Sequence, residues 1–222
     1  MKRILTILLL LLGISCQAQI HTTNWPYLYN EFMDGTIIME SGKKSYFKMN
    51  IHLSKGRLHY IEGGIVKEAN SAGIASIIIG EDEFSILNNN VMKVMAKTGN
   101  GYVAGHITLD LRSIAEPAGA YGTSTTSAAK QKFSSIDIAD NIGMRYVELR
   151  QGKEGGESLD TECSYYIVCN GKIYPAKKKE IENSLDKEQK DKFKAFIKQN
   201  RIKWRDPDKL VLLIDFINEI SE

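Results

Sequence analysis

The histidines at positions 52 and 59 are the first pair whose type and spacing could do chemistry in this 222-residue chain. They flank Lys55-Gly56, a turn signal between two alternating runs. A two-residue loop there sets Leu53 opposite Leu58, Ile51 opposite Tyr60 and His52 opposite His59. Directly opposed side chains in an antiparallel pair have Cβ atoms about 5 Å apart, close enough for two imidazoles to share a metal. A metal site asks for a third or fourth ligand at matching distance, and only Glu62 lies nearby in sequence. The same register turns both rings to the outer face beside Lys48 and Asn50. The ordinary expectation is therefore two solvated histidines, with His52 and His59 the best metal candidates the chain offers. His106 falls opposite Met95 in a later hairpin and His21 lies near the N-terminus; neither acquires a partner.

Other patterns carry less. Ser127-Ala128-Ala129-Lys130 and Lys97-Thr98-Gly99 match two elements of the penicillin-binding and β-lactamase set. In those enzymes the Ser-x-x-Lys element precedes Lys-Thr-Gly and opens a helix. Here the order is reversed and the Ser/Lys pair falls in a loop-like stretch. Glu81-Asp82-Glu83 is acidic, but neighbouring strand residues point to opposite faces and do not converge. The glycines at 99, 101, 119 and 122 fit neither a phosphate loop nor a dinucleotide fingerprint. Trp25, Tyr27, Tyr29, Tyr165 and Tyr166 are the aromatics to nominate for sugar or peptidoglycan stacking, although aromatics in strands more often fill the core. No catalytic residue, cofactor-binding residue or cofactor follows from these patterns. An enzyme would need a site assembled from distant groups such as His52, His59, Asp137 and Glu148.

Charge narrows the partners. Lys and Arg number 29 against 27 Asp and Glu, and residues 1–18 hold two of the bases and no acid. The remainder is balanced at 27 of each, so no global field steers it toward nucleic acid or membrane. The balance hides a local asymmetry: from Lys172 to Lys209 there are 13 bases and 7 acids. Lys177, Lys178, Lys179, Lys187, Lys190, Lys192, Lys194 and Lys198 solvate helix faces. Their second use would be contact with anionic lipid or polysaccharide; nucleic acid is not an expected partner.

The elements that must position these residues begin with an export signal. Lys2 and Arg3 precede an apolar run from Ile4 to Leu12, too short for a bilayer core of about 30 Å but of the length of a signal-peptide core. Small and polar residues follow, and cleavage after Ala18 leaves Gln19 first. The alternative is lipidation at Cys16, with Gly13 standing where a lipobox usually has Leu. The expectation is an exported periplasmic or extracellular protein, with an outer-membrane lipoprotein as the alternative.

From Trp25 onward, short alternating runs separated by Gly and Asn turns read as antiparallel strands. These include Gly35–Glu40, Ser45–Leu53, Ile74–Ile79 and Glu83–Leu87. Val91–Lys97 meets Tyr102–Leu109 across Thr98-Gly99-Asn100-Gly101. That register puts Met92 opposite Leu109, Val94 opposite Ile107 and Ala96 opposite Gly105. Residues 115–135 are small and Ser/Thr-rich and read as a long loop. Strands resume at Met144–Arg150 and Thr161–Cys169, and Asn170-Gly171 turns the chain so that Val168 meets Ile173.

After Pro175 the period becomes helical. Ala176–Leu185 forms a short helix, Asp186 with Gln189 makes a capping box, and Asp206-Pro207 starts a last helix striped with Leu210, Leu213, Ile214, Ile217 and Ile220. Cys163 and Cys169 lie six residues apart in one strand, about 20 Å, well beyond the reach of a disulfide. The organisation is a signal peptide at 1–18, an antiparallel β body at 19–175 and C-terminal helices at 176–222 packed on it. The fold class is α+β, mainly an antiparallel sheet as a roll, barrel or sandwich.

Several stretches resemble a family of uncharacterised secreted proteins typical of Bacteroidota. They are Trp25 to Phe32 leading to Gly35-Thr36, Asn50 to Leu53 through Leu58 to Tyr60, Gly119 to Lys130, and Phe196 to Leu210. The resemblance spans most of the chain after residue 18. It implies a compartment and lineage, but the family has no known activity and supplies no functional residues. The function the sequence favours is a non-enzymatic binding or structural module of the envelope. The alternatives are an envelope hydrolase and a lipid-anchored surface protein.

Overall fold

Phe47, Met49 and Ile51 alternate with Lys48, Asn50 and His52, and this run forms strand β3 (Lys44–His52). The computed structural model describes residues 22–23, 25–110, 142–153 and 159–221. The export signal at 1–18, Cys16, the Ser/Thr-rich stretch at 115–135 with Ser127 and Lys130, Asp137 and His21 lie outside the described residues.

The other strands are β1 (Thr22–Thr23), β2 (Met33–Met39), β4 (Arg57–Glu62), β5 (Ile65–Glu68), β6 (Ile74–Ile79), β7 (Asp82–Leu87), β8 (Asn90–Thr98), β9 (Gly101–Leu109), β10 (Leu159–Cys169) and β11 (Lys172–Pro175). They form one eleven-stranded sheet in the order β1-β10-β9-β8-β7-β6-β2-β3-β4-β5, with β11 also on β10. Every pairing between them is antiparallel. The sheet is open but rolls on itself. The turn after β3 comes back to the start of β8, where Val91 N–H donates to the Gly56 carbonyl at 2.8 Å and Arg57 reaches the Asn89 carbonyl.

Inside this roll lies a core of Met49, Ile51, Leu58, Ile77, Ile79 and Phe84. Side chains of this size contribute about 1.5–3 kcal/mol each when fully buried. A second core joins β9 and β10 to the C-terminal helices through Val103, Ile167 and Cys169. The helices are α1 (Tyr146–Lys153), α2 (Lys178–Asn183), α3 (Lys187–Gln199), α4 (Pro207–Leu210) and α5 (Leu212–Ser221). Phe193, Leu210, Leu213, Ile214 and Ile217 are all buried on the sheet side. The fold is α+β and mainly antiparallel, as the alternation implied.

Several local expectations hold. The Asp186 side chain accepts from Gln189 N–H and Gln189 bonds back, completing the capping box that starts α3. Asp206 caps α4 ahead of Pro207. Val168 pairs with Ile173 across Asn170 and Gly171, whose φ values of 50° and 69° suit a tight hairpin turn. Cys163 and Cys169 are both free thiols.

Three expectations are corrected. The sequence pattern predicts a strand over Met144–Arg150, but α1 begins at Tyr146. The edge it meets belongs to β5, four residues long. It accepts one bridge, Ile65 to Arg145, after which Glu, Leu, Arg and Gln follow their helical preference.

The β3–β4 register is shifted by two. Ile51 faces Leu58 and His52 faces Arg57. Leu53 cannot pair with Leu58 because its N–H donates instead to the Pro26 carbonyl at 2.8 Å.

The β8–β9 hairpin turns on Gly99-Asn100 rather than on four residues. Thr98 meets Gly101, and an irregularity between Val94 and Ala96 brings Lys93 opposite Gly105 and Val94 opposite Ala104. Gly105 leaves room for the displaced Met95, since a Cβ there would lie 3.0 Å from Met95 Cγ. Met95 falls in this irregularity and does not pair with His106, which on its other side faces Ser164 of β10.

Candidate functional site

Residues of β3 that face away from the rolled core begin wet and end dry. Lys44, Tyr46 and Lys48 are exposed, whereas Asn50 and His52 are fully buried. The change comes from the segment Trp25–Phe32, which runs along the edge of β3 beyond the end of β2, with Tyr27 bridged antiparallel to His52, and lays its aromatic side chains over that end of the face. Its backbone docks through Leu28 N–H to the Ile51 carbonyl at 3.0 Å and through the Pro26 carbonyl to Leu53 N–H. Its side chains Trp25, Tyr27 and Phe32 form a small core with Val66 of β5.

Asn50 clamps the segment. Its amide oxygen accepts from Tyr29 N–H at 3.0 Å and Ile51 N–H at 2.9 Å. Its amide nitrogen donates to the Tyr29 carbonyl at 2.8 Å and the Glu31 carbonyl at 3.0 Å. The indole N–H of Trp25 donates to the same Tyr29 carbonyl at 2.9 Å.

Beneath this cover His52 and His59 lie with ring centroids 5.0 Å apart. They were expected on a solvated face, and this is corrected: both are fully buried. The two-residue shift keeps them on one face, as diagonal neighbours. That face is dry because Tyr27 packs edge-on against both rings, at 5.2 Å and 5.6 Å.

Two polar groups flank His59. The Tyr27 hydroxyl lies 2.9 Å from Nδ1 and the Glu68 carboxylate 3.5 Å from Nε2. The direction of the Tyr27–Nδ1 bond follows the tautomer of the neutral ring, and Nε2 has Glu68 nearby but no hydrogen-bond partner among the described residues. His52 Nδ1 meets the Ser54 hydroxyl at 3.1 Å. Its buried Nε2 has no hydrogen-bond partner among the described residues.

Burial pushes the His52 pKa down to about 3, aided by His59 and Lys55. Burial also lowers His59, to about 4, against the pull of Glu68. Both imidazoles are therefore neutral across the physiological range.

The Tyr27 and His59 side chains are fully buried while the Glu68 carboxylate stands at the exposed edge, and the visible work of the group is to hold the cover on the sheet. The two metal candidates are brought together, but among the described residues no three His, Cys, Asp or Glu side chains are placed to hold a metal. Glu148 stands exposed on α1. The acidic triplet disperses as expected: Asp82 bonds Tyr29 at 2.6 Å and Lys93 at 2.7 Å, while Glu83 pairs with Lys97 at 2.7 Å. Lys97 is thereby occupied as an ordinary hairpin residue.

Of the nominated aromatics, Trp25 and Tyr27 are core of the cover. Tyr29, Tyr165 and Tyr166 are half-buried against the three other clusters. The exposed ring was missed. Tyr46 is 71% exposed, more than any other large apolar side chain among the described residues. It overlooks an open depression of about 400 Å³ lined by Asp34, Thr36, Lys48, Ile78 and Gly80. Asp34 and Lys48 face each other there at 3.3 Å. Its position between Lys44 and Lys48, in the outward phase of the strand, was the signal that could have found it.

No family model matches the chain, no curated protein matches it, and no solved structure matches it.

Proposed function

We propose that the protein is an exported, non-enzymatic binding module of the cell envelope, and that the bare sheet face around Tyr46 receives a saccharide. The single observation carrying this reading is the exposed Tyr46 ring beside the Asp34–Lys48 pair. A flat aromatic face stacks on the apolar face of a sugar ring. The adjacent carboxylate and ammonium offer an acceptor and donors to its hydroxyls. Export rests on Lys2, Arg3 and the apolar run to Leu12, with release after Ala18; Cys16 is the point at which a lipid-anchored form would differ. Among the described residues no helix is long and apolar enough to cross a membrane.

The test is titration of the purified chain with soluble peptidoglycan fragments and neutral oligosaccharides, followed by Tyr46 fluorescence quenching and calorimetry. Binding by the parent chain that falls at least about tenfold in Tyr46→Ala, equivalent to 1.4 kcal/mol, supports the assignment. Saccharide binding unchanged in Tyr46→Ala, or turnover of a fragment, overturns it.

A further inference from the structure

A different surface carries a second interaction. From Lys192 to Arg205 the chain has six bases and no acid, and all six are exposed. Lys192 is spoken for by Glu188 at 2.8 Å, and Lys194 by Glu182 at 3.5 Å and Asp191 at 3.7 Å. Lys198, Arg201, Lys203 and Arg205 have no ion-pair partner among the described residues.

Local structure gathers these four. Lys194, Lys198 and Arg201 follow one another at helical spacing down one side of α3 and its end. Arg201 takes a φ of 49° just past the helix, where Ile202 N–H closes on the Ile197 carbonyl at 3.1 Å. Beyond it, Ile202 and Trp204 pack into the helical core, so the intervening Lys203 and Arg205 remain outside. The ridge ends at Asp206, which accepts from Lys209 N–H at 3.4 Å as the cap of α4. Chain geometry limits the four charges to a line no longer than about 20 Å.

We propose that this ridge, Lys198–Arg201–Lys203–Arg205, is a docking surface for a linear acidic polysaccharide. Charge complementarity selects a polyanion, and the form of the surface selects a narrow one. Outside residues 1–18 the rest of the chain carries an excess of six acids that balances the basic segment. Four charges on a line of about 20 Å suit a single polyanion chain lying along them rather than a broad surface. Membrane insertion is disfavoured because the apolar residues of the segment, Ile202 and Trp204, are turned into the protein rather than outward. Single-stranded nucleic acid is disfavoured for the same reason, since the one aromatic on the ridge is not free to stack on bases. The proposal does not depend on Tyr46.

The experiment measures affinity for heparin, as a linear sulfated chain, over a series of salt concentrations. Single-stranded DNA and phosphatidylglycerol vesicles are compared at equal anionic charge. Parent protein and Tyr46→Ala should bind heparin alike, with affinity falling steeply as salt rises. Arg201→Glu/Lys203→Glu and, independently, Lys198→Glu/Arg205→Glu should each lose about tenfold or more at low salt. Lys43→Glu/Lys44→Glu, on the distant β2–β3 turn, should change binding less than about twofold. Circular dichroism identifies the folded variants. The proposal is overturned if either folded ridge variant binds heparin as the parent does. Preference of the parent chain for DNA or vesicles overturns it equally.

Discussion

One strand face meets two environments. At the end of β3 where Asn50 and His52 project, Trp25–Phe32 covers the face, and the Asn50 amide finds all its partners inside the protein. At the other end, Tyr46 and Lys48 project from the same side of the same strand into water. The difference is not written in β3, whose alternation runs unbroken through both halves. It is imposed by a segment of irregular backbone that pays for its own burial with the Asn50 bonds, the Thr23 hydroxyl on the Tyr27 carbonyl at 3.0 Å and the Tyr27–His59 contact. Polar residues at a dry end are structural joints, and an aromatic left at a wet end is available for recognition.

Acid should separate the two ends most strongly. His52 and His59 have folded pKa values of about 3 and about 4, below the unfolded value of about 6.5. In that window the unfolded chain binds more protons, so stability falls as pH drops from about 6.5 toward about 4. Shifts of this size correspond to several kcal/mol. Urea unfolding at pH 7.0, 5.5 and 4.5 should show the midpoint falling with each step, and His52→Gln/His59→Gln should flatten that dependence. An unchanged midpoint down to pH 4.5 in the parent chain would mean the imidazoles are not sealed, and the comparison would fail.

Next in size is Asn50→Ala. The substitution removes the partners of Tyr29 N–H and the Glu31 carbonyl at part-buried positions, and losing such bonds costs about 1–3 kcal/mol each at most. A loss of about 3 kcal/mol by chemical denaturation is expected, with limited proteolysis appearing first within residues 25–32. A cost below about 1 kcal/mol would show that the apolar side chains hold the cover without the clamp.

How much of this was legible beforehand differs residue by residue. The capping box at Asp186 and the turn at Asn170-Gly171 were readable because their partners lie within a few positions. The pairing of His52 and His59 on one face was readable because a shift of two keeps the phase of alternation. Their burial was not, since it depends on Trp25–Phe32, more than twenty residues upstream and without periodicity of its own. The shift itself came from Pro26, whose carbonyl takes the N–H that Leu53 would have given to β4. Residues 144–150 misled for a related reason: Tyr146-Val147-Glu148 alternates well enough for a strand, but the edge it meets, β5, has only four residues and takes a single bridge. Tyr46 could have been found by phase alone, but buried aromatics nearby in sequence drew the nomination away.

The smallest stability effect should come from Tyr46→Ala. The ring is 71% exposed and removes little area from water, so the cost should stay within about 0.5 kcal/mol, the range of ordinary surface changes. Tyr27→Ala, at the sealed end, removes a fully buried ring and should cost about 3–5 kcal/mol. Two tyrosines of the same chemistry, one lying over β3 and one projecting from it, would thus differ in stability by several kcal/mol. Equal losses from the two substitutions would mean that Tyr46 is covered in solution. The bare face, and the binding role assigned to it, would then have to be given up.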